Sequence, residues 1–321
     1  MDLRPDKTGA MIFNRTISRR VIQPRMRHSR LMALGLLIGA CGCSLVQRSP
    51  VPQDVAAARE LSYRGLDAMQ KEHWNEAELM FARAVEACPT DERARQRYGE
   101  MLWRRGESAD AIKHMTEAVR LSGGDPELHV RLGEMFLAQE NLDKAQEQAE
   151  TAIRAKGELP SAWSLHGDIF ARRGQVEEAL ASYHRALSYQ GHFPHVQLAV
   201  ARIYGQEGRP SRMLSTLDGL VENYAPGQTP QEALLLQGLA LKSLQRYDEA
   251  IQCLTLACRG SSNTEALFHL SDAQWRSGDL ANANLSLARL LATKPRYAPA
   301  LQLRQEIMNQ QGRQVAVQPK N

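Results

Sequence analysis

Residues 160–193 read "PSAWSLHGDIFARRGQVEEALASYHRALSYQGHF". Gly174 divides this stretch into two short amphipathic runs. Trp163, Gly167 and Phe170 come before it, and Ala179, Tyr183 and Ala186 come after it. Large and small residues therefore recur at helical intervals on both sides of a residue suited to a left-handed helix stop, which predicts a pair of helices joined by a turn. The unit repeats along the chain. Gly65, Gly99, Gly133 and Gly167 stand 34 residues apart, and Ala201 continues the row. Ala77, Ala111, Ala145 and Ala179 form a second ladder, and Ala84, Ala118, Ala152 and Ala186 a third. Three ladders in one register mark an internal repeat, in which each unit buries its apolar face only against its neighbours.

This pattern resembles the tetratricopeptide repeat, a 34-residue helix–turn–helix unit. That family places an aromatic at position 4, Leu and Gly at 7 and 8, an aromatic at 11, Ala at 20, an aromatic at 24, Ala at 27 and Pro at 32. The quoted unit fits from Pro160. The first repeat, from Ala58, supplies Gly65, Ala77, Phe81, Ala84 and Pro89. The last, from Thr264, supplies Leu267, Leu270, Ser271, Ala283, Leu287 and Pro295. The register gives seven repeats, starting near residues 58, 92, 126, 160, 194, 231 and 264, with the array spanning 58–295. The resemblance implies an all-α fold, a right-handed superhelical α-solenoid. Residues 296–312, with Leu301, Leu303 and Ile307 on one face, are expected to form a capping helix, followed by a flexible tail over 313–321.

Small residues at 8, 20 and 27 should let paired helices approach, with bulky residues at 4, 7, 11 and 24 between them. Gly106, Gly174, Gly208 and Gly278 fall at position 15, where a left-handed cap is wanted. Ser108 and Ser211 are expected to cap second helices, and Asp125 to cap a first helix with Pro126 at its first position. The fifth repeat is irregular. Met213, Leu217 and Leu220 occupy positions 20, 24 and 27, and residues 223–230 shift the next repeat by three. That reads either as a degenerate repeat with a long loop or as a kink between a four-repeat and a three-repeat lobe.

The N-terminal segment is different in kind. Residues 31–45, "LMALGLLIGACGCSL", are too short to span a bilayer and follow the basic "RMRHSR". A basic region, a short apolar run and small residues at its end make a signal peptide, expected over residues 1–40 with a long basic leader. Met11 or Met26 is a candidate true start. The run Ile38-Gly39-Ala40-Cys41 resembles the bacterial lipobox. That resemblance implies lipidation of the Cys41 thiol, including a palmitate-type acyl chain, with Cys43 as the alternative acceptor. An uncleaved anchor helix and an ordinary signal peptide with incidental cysteines are the other readings. Gly42 rather than Asp after Cys41 favours, by the same resemblance, a periplasm-facing place on the outer membrane of the bacterial cell envelope. Residues 41–57, with Pro50 and Pro52, are expected to be a tether.

Charge follows the same division. Residues 1–40 hold eight Lys/Arg and two acidic residues, a net of +6, whereas the remainder holds 32 basic and 34 acidic residues, a net of −2. A nucleic-acid-binding body needs clustered cations, so no nucleic-acid partner is expected. Cys88, Cys253 and Cys258 are scattered and read as small buried apolar residues. There is no nucleophile elbow, zinc-protease helix, phosphate loop or dinucleotide fingerprint, so no enzyme, cofactor or metal is expected. His192 and His195 form a close pair with no third ligand.

In the tetratricopeptide family the inner face is lined by first-helix positions 2, 5, 9, 12 and 13. Carried over, position 9 gives Glu100, Glu134, Asp168 and Asp272, with Arg202 interrupting the row. Position 12 gives Met69, Trp103, Leu137, Ala171, Gly205, Lys242 and Trp275, position 13 gives Arg104, Arg172 and Arg276, and position 5 gives Phe268. Aromatic and Arg anchors suit an interface. The alternatives are packing between repeats for the tryptophans and a cation at a helix C-terminus for the arginines. The acidic row argues against a clamp for a peptide carboxylate and favours a peptide of mixed or positive charge. The expected function is a non-enzymatic, lipid-anchored scaffold that binds other proteins or peptides, with envelope assembly as the setting. Narrower alternatives are a pilotin-like factor or a hydrolase adaptor, and, further off, an exported enzyme or sugar-binding protein.

Overall fold

A computed structural model describes residues 52–225, 227–259 and 263–317. The expected signal segment, Cys41, Cys43 and most of the expected tether lie outside them. Among the described residues the chain is a succession of helix pairs. The first repeat is α1 (Gln53–Gln70) with α2 (Trp74–Ala87), and the second is α3 (Glu92–Arg105) with α4 (Ser108–Leu121). Next come α5 (Pro126–Ala138) with α6 (Leu142–Ala155) and α7 (Pro160–Arg172) with α8 (Val176–Tyr189). The fifth pair is α9 (Pro194–Gln206) with α10 (Pro210–Val221), and the sixth is α11 (Gln231–Ser243) with α12 (Tyr247–Ala257). The seventh pair, α13 (Thr264–Arg276) and α14 (Leu280–Thr293), is followed by α15 (Ala298–Val317). In each pair the two helices touch, and the second helix touches the first helix of the following pair, which is the stacking expected of a tetratricopeptide solenoid.

Residues 53–57, read from the sequence as tether, are helical and extend α1 ahead of Ala58. After Pro52 no residue there opposes a helix, and Ala56 and Ala57 favour one. At the other end α15 runs to Val317, into the stretch expected to be a tail, because no proline intervenes between Pro299 and Pro319.

The small positions do what their spacing requires. Ala77, Ala111, Ala145, Ala179, Ala250 and Ala283 at position 20 are fully buried, as are Ala84, Ala118, Ala152, Ala186 and Ala257 at position 27. Position 8 faces position 24 of the same repeat. A Cβ on Gly65 would lie 2.9 Å from the Phe81 ring, and one on Gly238 would lie 2.5 Å from Leu254 Cγ. The fifth repeat breaks the rule and compensates. Buried Met213 stands where alanine is usual, and its sulfur would lie 3.1 Å from a Cβ on Gly205, so the missing side chain of α9 makes room for it. One apolar cluster runs through this repeat without interruption, from Ala179 to Ile307. The core ahead of it is divided among three smaller clusters.

The turn between paired helices is left-handed in all seven repeats. Gly106, Gly174, Gly208 and Gly278 have φ of 87°, 74°, 66° and 90°. Glu72, Glu140 and Gln245 occupy the same position in the other three repeats, at φ of 60°, 56° and 60°. No other non-glycine residue has positive φ among the described residues.

Asp125 caps α5 as expected, accepting from the Glu127 N–H at 2.8 Å. Ser108 and Ser211 do not cap. They are the first and second residues of their helices, because the capping position directly after the left-handed residue belongs to Glu107 and Arg209. Where that position holds a short acceptor it does cap: Asn141 accepts from the Lys144 N–H, and Asp279 from the Asn282 N–H.

Candidate partner-binding face

First helices also touch the first helices of adjacent repeats: α1 with α3, α5 with α7, α9 with α11, and α13 with both α11 and α15. This places them on the shorter, inner side of the stack. The candidate residues lie there, but most of their side chains are already engaged.

In the second and third repeats Glu100 accepts from Gln96 Nε2 at 3.1 Å, and Glu134 pairs with Arg131 at 2.8 Å. Trp103 is half-buried between two apolar clusters, one joining the first and second repeats and the other the second and third. Arg104 is exposed and has no ion-pair partner among the described residues.

Asp168 joins the fourth repeat to the fifth. It accepts from the Tyr183 hydroxyl at 2.7 Å and lies 3.0 Å from His195 Nε2. Burial raises the Tyr183 pKa, and the charge and hydrogen bond of Asp168 add to it. The hydrogen bond to Asp168 raises the His195 pKa against the effect of burial. His192, its neighbour in sequence, packs edge-on against Tyr224 instead, with ring centroids 5.7 Å apart. Arg172 pairs with Glu140 of the preceding repeat, and Arg202 with Glu232 of the following one.

Asp272 is the densest node. It is 8% exposed and receives Lys242 Nζ at 2.7 Å and Arg276 Nε at 2.7 Å. Burial works to raise its carboxyl pKa, but hydrogen bonds and charge from Lys242 and Arg276 outweigh this and hold it below the ordinary value. Lys242 Nζ also lies 3.0 Å from His269 Nδ1. Burial, and then the charge of Lys242, lowers the His269 pKa to about 4, so its imidazole is neutral at neutral pH and accepts from the ammonium. Trp275 donates from Nε1 to Gln310 Oε1 at 2.6 Å, which ties the seventh repeat to α15. Phe268 packs edge-on against Tyr297, with ring centroids 5.9 Å apart.

Two of the four carboxylates and two of the three arginines therefore link one repeat to the next or brace such a link. The open surface lies beside them. A groove of about 690 Å³ runs between α9, α11 and α13. Met213, Leu236 and Leu239 give it an apolar floor, and Arg202, Lys242 and His269 stand along its walls. The sequence held one signal for it. Leu239 occupies position 9, where five other repeats carry a charged residue, and Gly205 leaves space at position 12 of the preceding helix. Among the described residues no group of three or more His, Cys, Asp or Glu side chains is placed to hold a metal ion.

A stack of helix pairs with an open groove along its first helices defines a helical repeat scaffold. A tetratricopeptide repeat model matches residues 64–126, 130–193 and 235–299, and the chain belongs to that family. Such proteins bind other proteins or peptides. No curated protein matches the sequence. Among solved structures, the chain is similar to Pseudomonas aeruginosa pilF, with 16% identity and a TM-score of 0.58 over 70% of this chain and 99% of that one. It is also similar to PilW, described as a widely conserved type IV pilus biogenesis factor, with 16% identity and a TM-score of 0.53 over 77% of this chain and 97% of that one. YrrB, described as having an unusual peptide-binding site, gives 16% identity and a TM-score of 0.53 over 60% of this chain and 97% of that one. At such identities the likeness is one of fold.

Proposed function

We propose that this protein is an exported, lipid-anchored scaffold that holds a segment of another protein in the groove between α9, α11 and α13. The observation that carries the reading is the groove itself, an apolar trough with charged walls on the first-helix side of the array. Most other polar groups on that side have partners, so the groove is where new contacts form at least cost. The lipobox-like Ile38-Gly39-Ala40-Cys41 supports the anchor, and several acyl chains on Cys41 suffice for stable attachment. Anchoring raises the effective concentration for partners on the same membrane, and Gly42 in place of Asp after Cys41 supports the periplasmic face of the outer membrane. A narrower reading, favoured by the combination of lipobox and fold, is an assembly factor for an envelope machine such as a pilus, or an adaptor for cell-wall hydrolases.

Two measurements test this. Labelling with an alkynyl palmitate should mark the wild-type protein, and Cys41→Ser should lose the label and leave the membrane fraction. Retention of label and membrane by that variant refutes the acceptor assignment. A photo-crosslinking residue at Leu239 should capture a partner in the intact envelope, whereas one at Leu285, exposed on α14, should not. Equal capture from both positions removes the groove from the function.

A further inference from the structure

The groove that the scaffold reading invokes also has a charge character, and it is opposite to that of the carboxylate row on the inner face. Two cations and no carboxylate line it. Arg202 is neutralised by Glu232, beyond the groove wall. Lys242 is neutralised only in part. Its partner Asp272 is shared with Arg276, so two cations face one carboxylate. His269 adds no charge of either sign, because it is neutral at neutral pH. An ammonium has three N–H donors. Asp272 and His269 take two of those of Lys242, and no third acceptor is found among the described residues. The spare donor belongs to a side chain on the wall of a trough floored by Met213, Leu236 and Leu239.

From this geometry we infer that the groove takes an amphipathic acidic segment of a partner protein: a bulky apolar side chain on the floor, with an Asp or Glu carboxylate beside it accepting from Lys242. A carboxylate completes the ammonium and cancels the surplus charge, in a setting where a charge-assisted hydrogen bond is strong. A basic segment would bring like charge to Arg202 and Lys242. A purely apolar segment would cover the ammonium and leave its third donor without a partner. The groove volume accommodates several side chains.

The inference rests on the scaffold reading, and one experiment separates the two. A random peptide library displayed with blocked C-termini is selected on the intact protein, and the enriched peptides are measured by fluorescence anisotropy. The expected set carries a bulky apolar residue next to Asp or Glu, and its binding weakens as salt is added. Lys242→Met, which removes the charge-assisted contact, and, at the exposed rim, Ser243→Glu, which sets a like charge beside the ligand carboxylate, should each lower affinity about tenfold. Leu239→Ser should do the same by removing the floor. Basic or uncharged peptides that still respond to Leu239→Ser overturn the charge assignment and leave the groove standing. Peptides indifferent to all three substitutions, or no enrichment, overturn the groove as well. Ser243→Glu lies on the surface, so its outcome does not depend on how well the core variants fold.

Discussion

Gly167 approaches Tyr183 so closely that a Cβ on the glycine would lie 2.5 Å from ring atoms Cδ1 and Cε1. The ring cannot retreat. It is 1% exposed, and its hydroxyl is held by Asp168 at 2.7 Å. Gly167→Ala should therefore destabilise the protein by about 1–3 kcal/mol through overpacking, despite alanine's better helix propensity. Thermal melting followed by far-UV circular dichroism checks this, and an unchanged or higher midpoint contradicts the close approach.

The left-handed turn position gives a prediction of opposite sign. Gln245 holds φ of 60°, where a side chain is strained, while Gly278 holds 90° at the equivalent place. Gln245→Gly should stabilise by about 1 kcal/mol, and Gly278→Ala should destabilise by a similar amount. Urea titration of both variants measures the two shifts.

Removing the Asp272 carboxylate should cost about 3 kcal/mol, because the side chains of Lys242 and Asp272 are only 17% and 11% exposed and the ammonium would keep only neutral His269 as an acceptor, with no counter-charge. Replacing both ends, as in Lys242→Met with Asp272→Leu, should recover most of that loss, since Arg276 is half-exposed and can turn to water. A double-mutant cycle on chemical denaturation decides it. If the double variant is as unstable as Asp272→Ala, the pair is not the source of the cost.

His269 makes stability sensitive to acid. Its folded pKa, about 4, lies below the ordinary 6.5. A depressed pKa contributes stability that is complete above pH 6.5 and disappears as pH falls toward 4. His195 has the opposite sign: its raised pKa gives a contribution that is full below pH 6.5 and is lost as pH rises through the folded value. His269→Gln should flatten the acid limb of the stability profile and leave the profile above pH 6.5 parallel to wild type. Denaturation midpoints across that window test the assignment, and an unchanged acid limb refutes it.

The fold was legible because the signals that specify it repeat. A glycine or alanine at position 8 and alanines at 20 and 27 recur in one register, and each is needed wherever two helix axes come close. The left-handed turn was legible at Gly106, Gly174, Gly208 and Gly278 for the same reason. At Glu72, Glu140 and Gln245 it was not, since nothing about those side chains announces positive φ. The partner-binding face was harder. The family pattern names the positions on the inner side but not which are consumed by neighbours, and Arg172 with Glu140 or Lys242 with Asp272 meet across 30 or more residues. Position 12 had put Gly205 and Lys242 on this face, but the apolar floor was hidden because its signal was Leu239, an apolar residue among charged ones.

The apolar cluster that runs unbroken from Ala179 to Ile307, against the three separate clusters ahead of it, has a mechanical meaning. Nearest-neighbour stacking lets an array come apart unit by unit wherever its joints are weakest. Pulled from its N-terminal end, this one is expected to yield first in small steps through α1 to α7. The block that bears the groove is expected to let go last and as a whole. In the proposed anchored scaffold, strain between the anchor and a partner held in the groove is expected to be taken up by the leading repeats while the groove block holds.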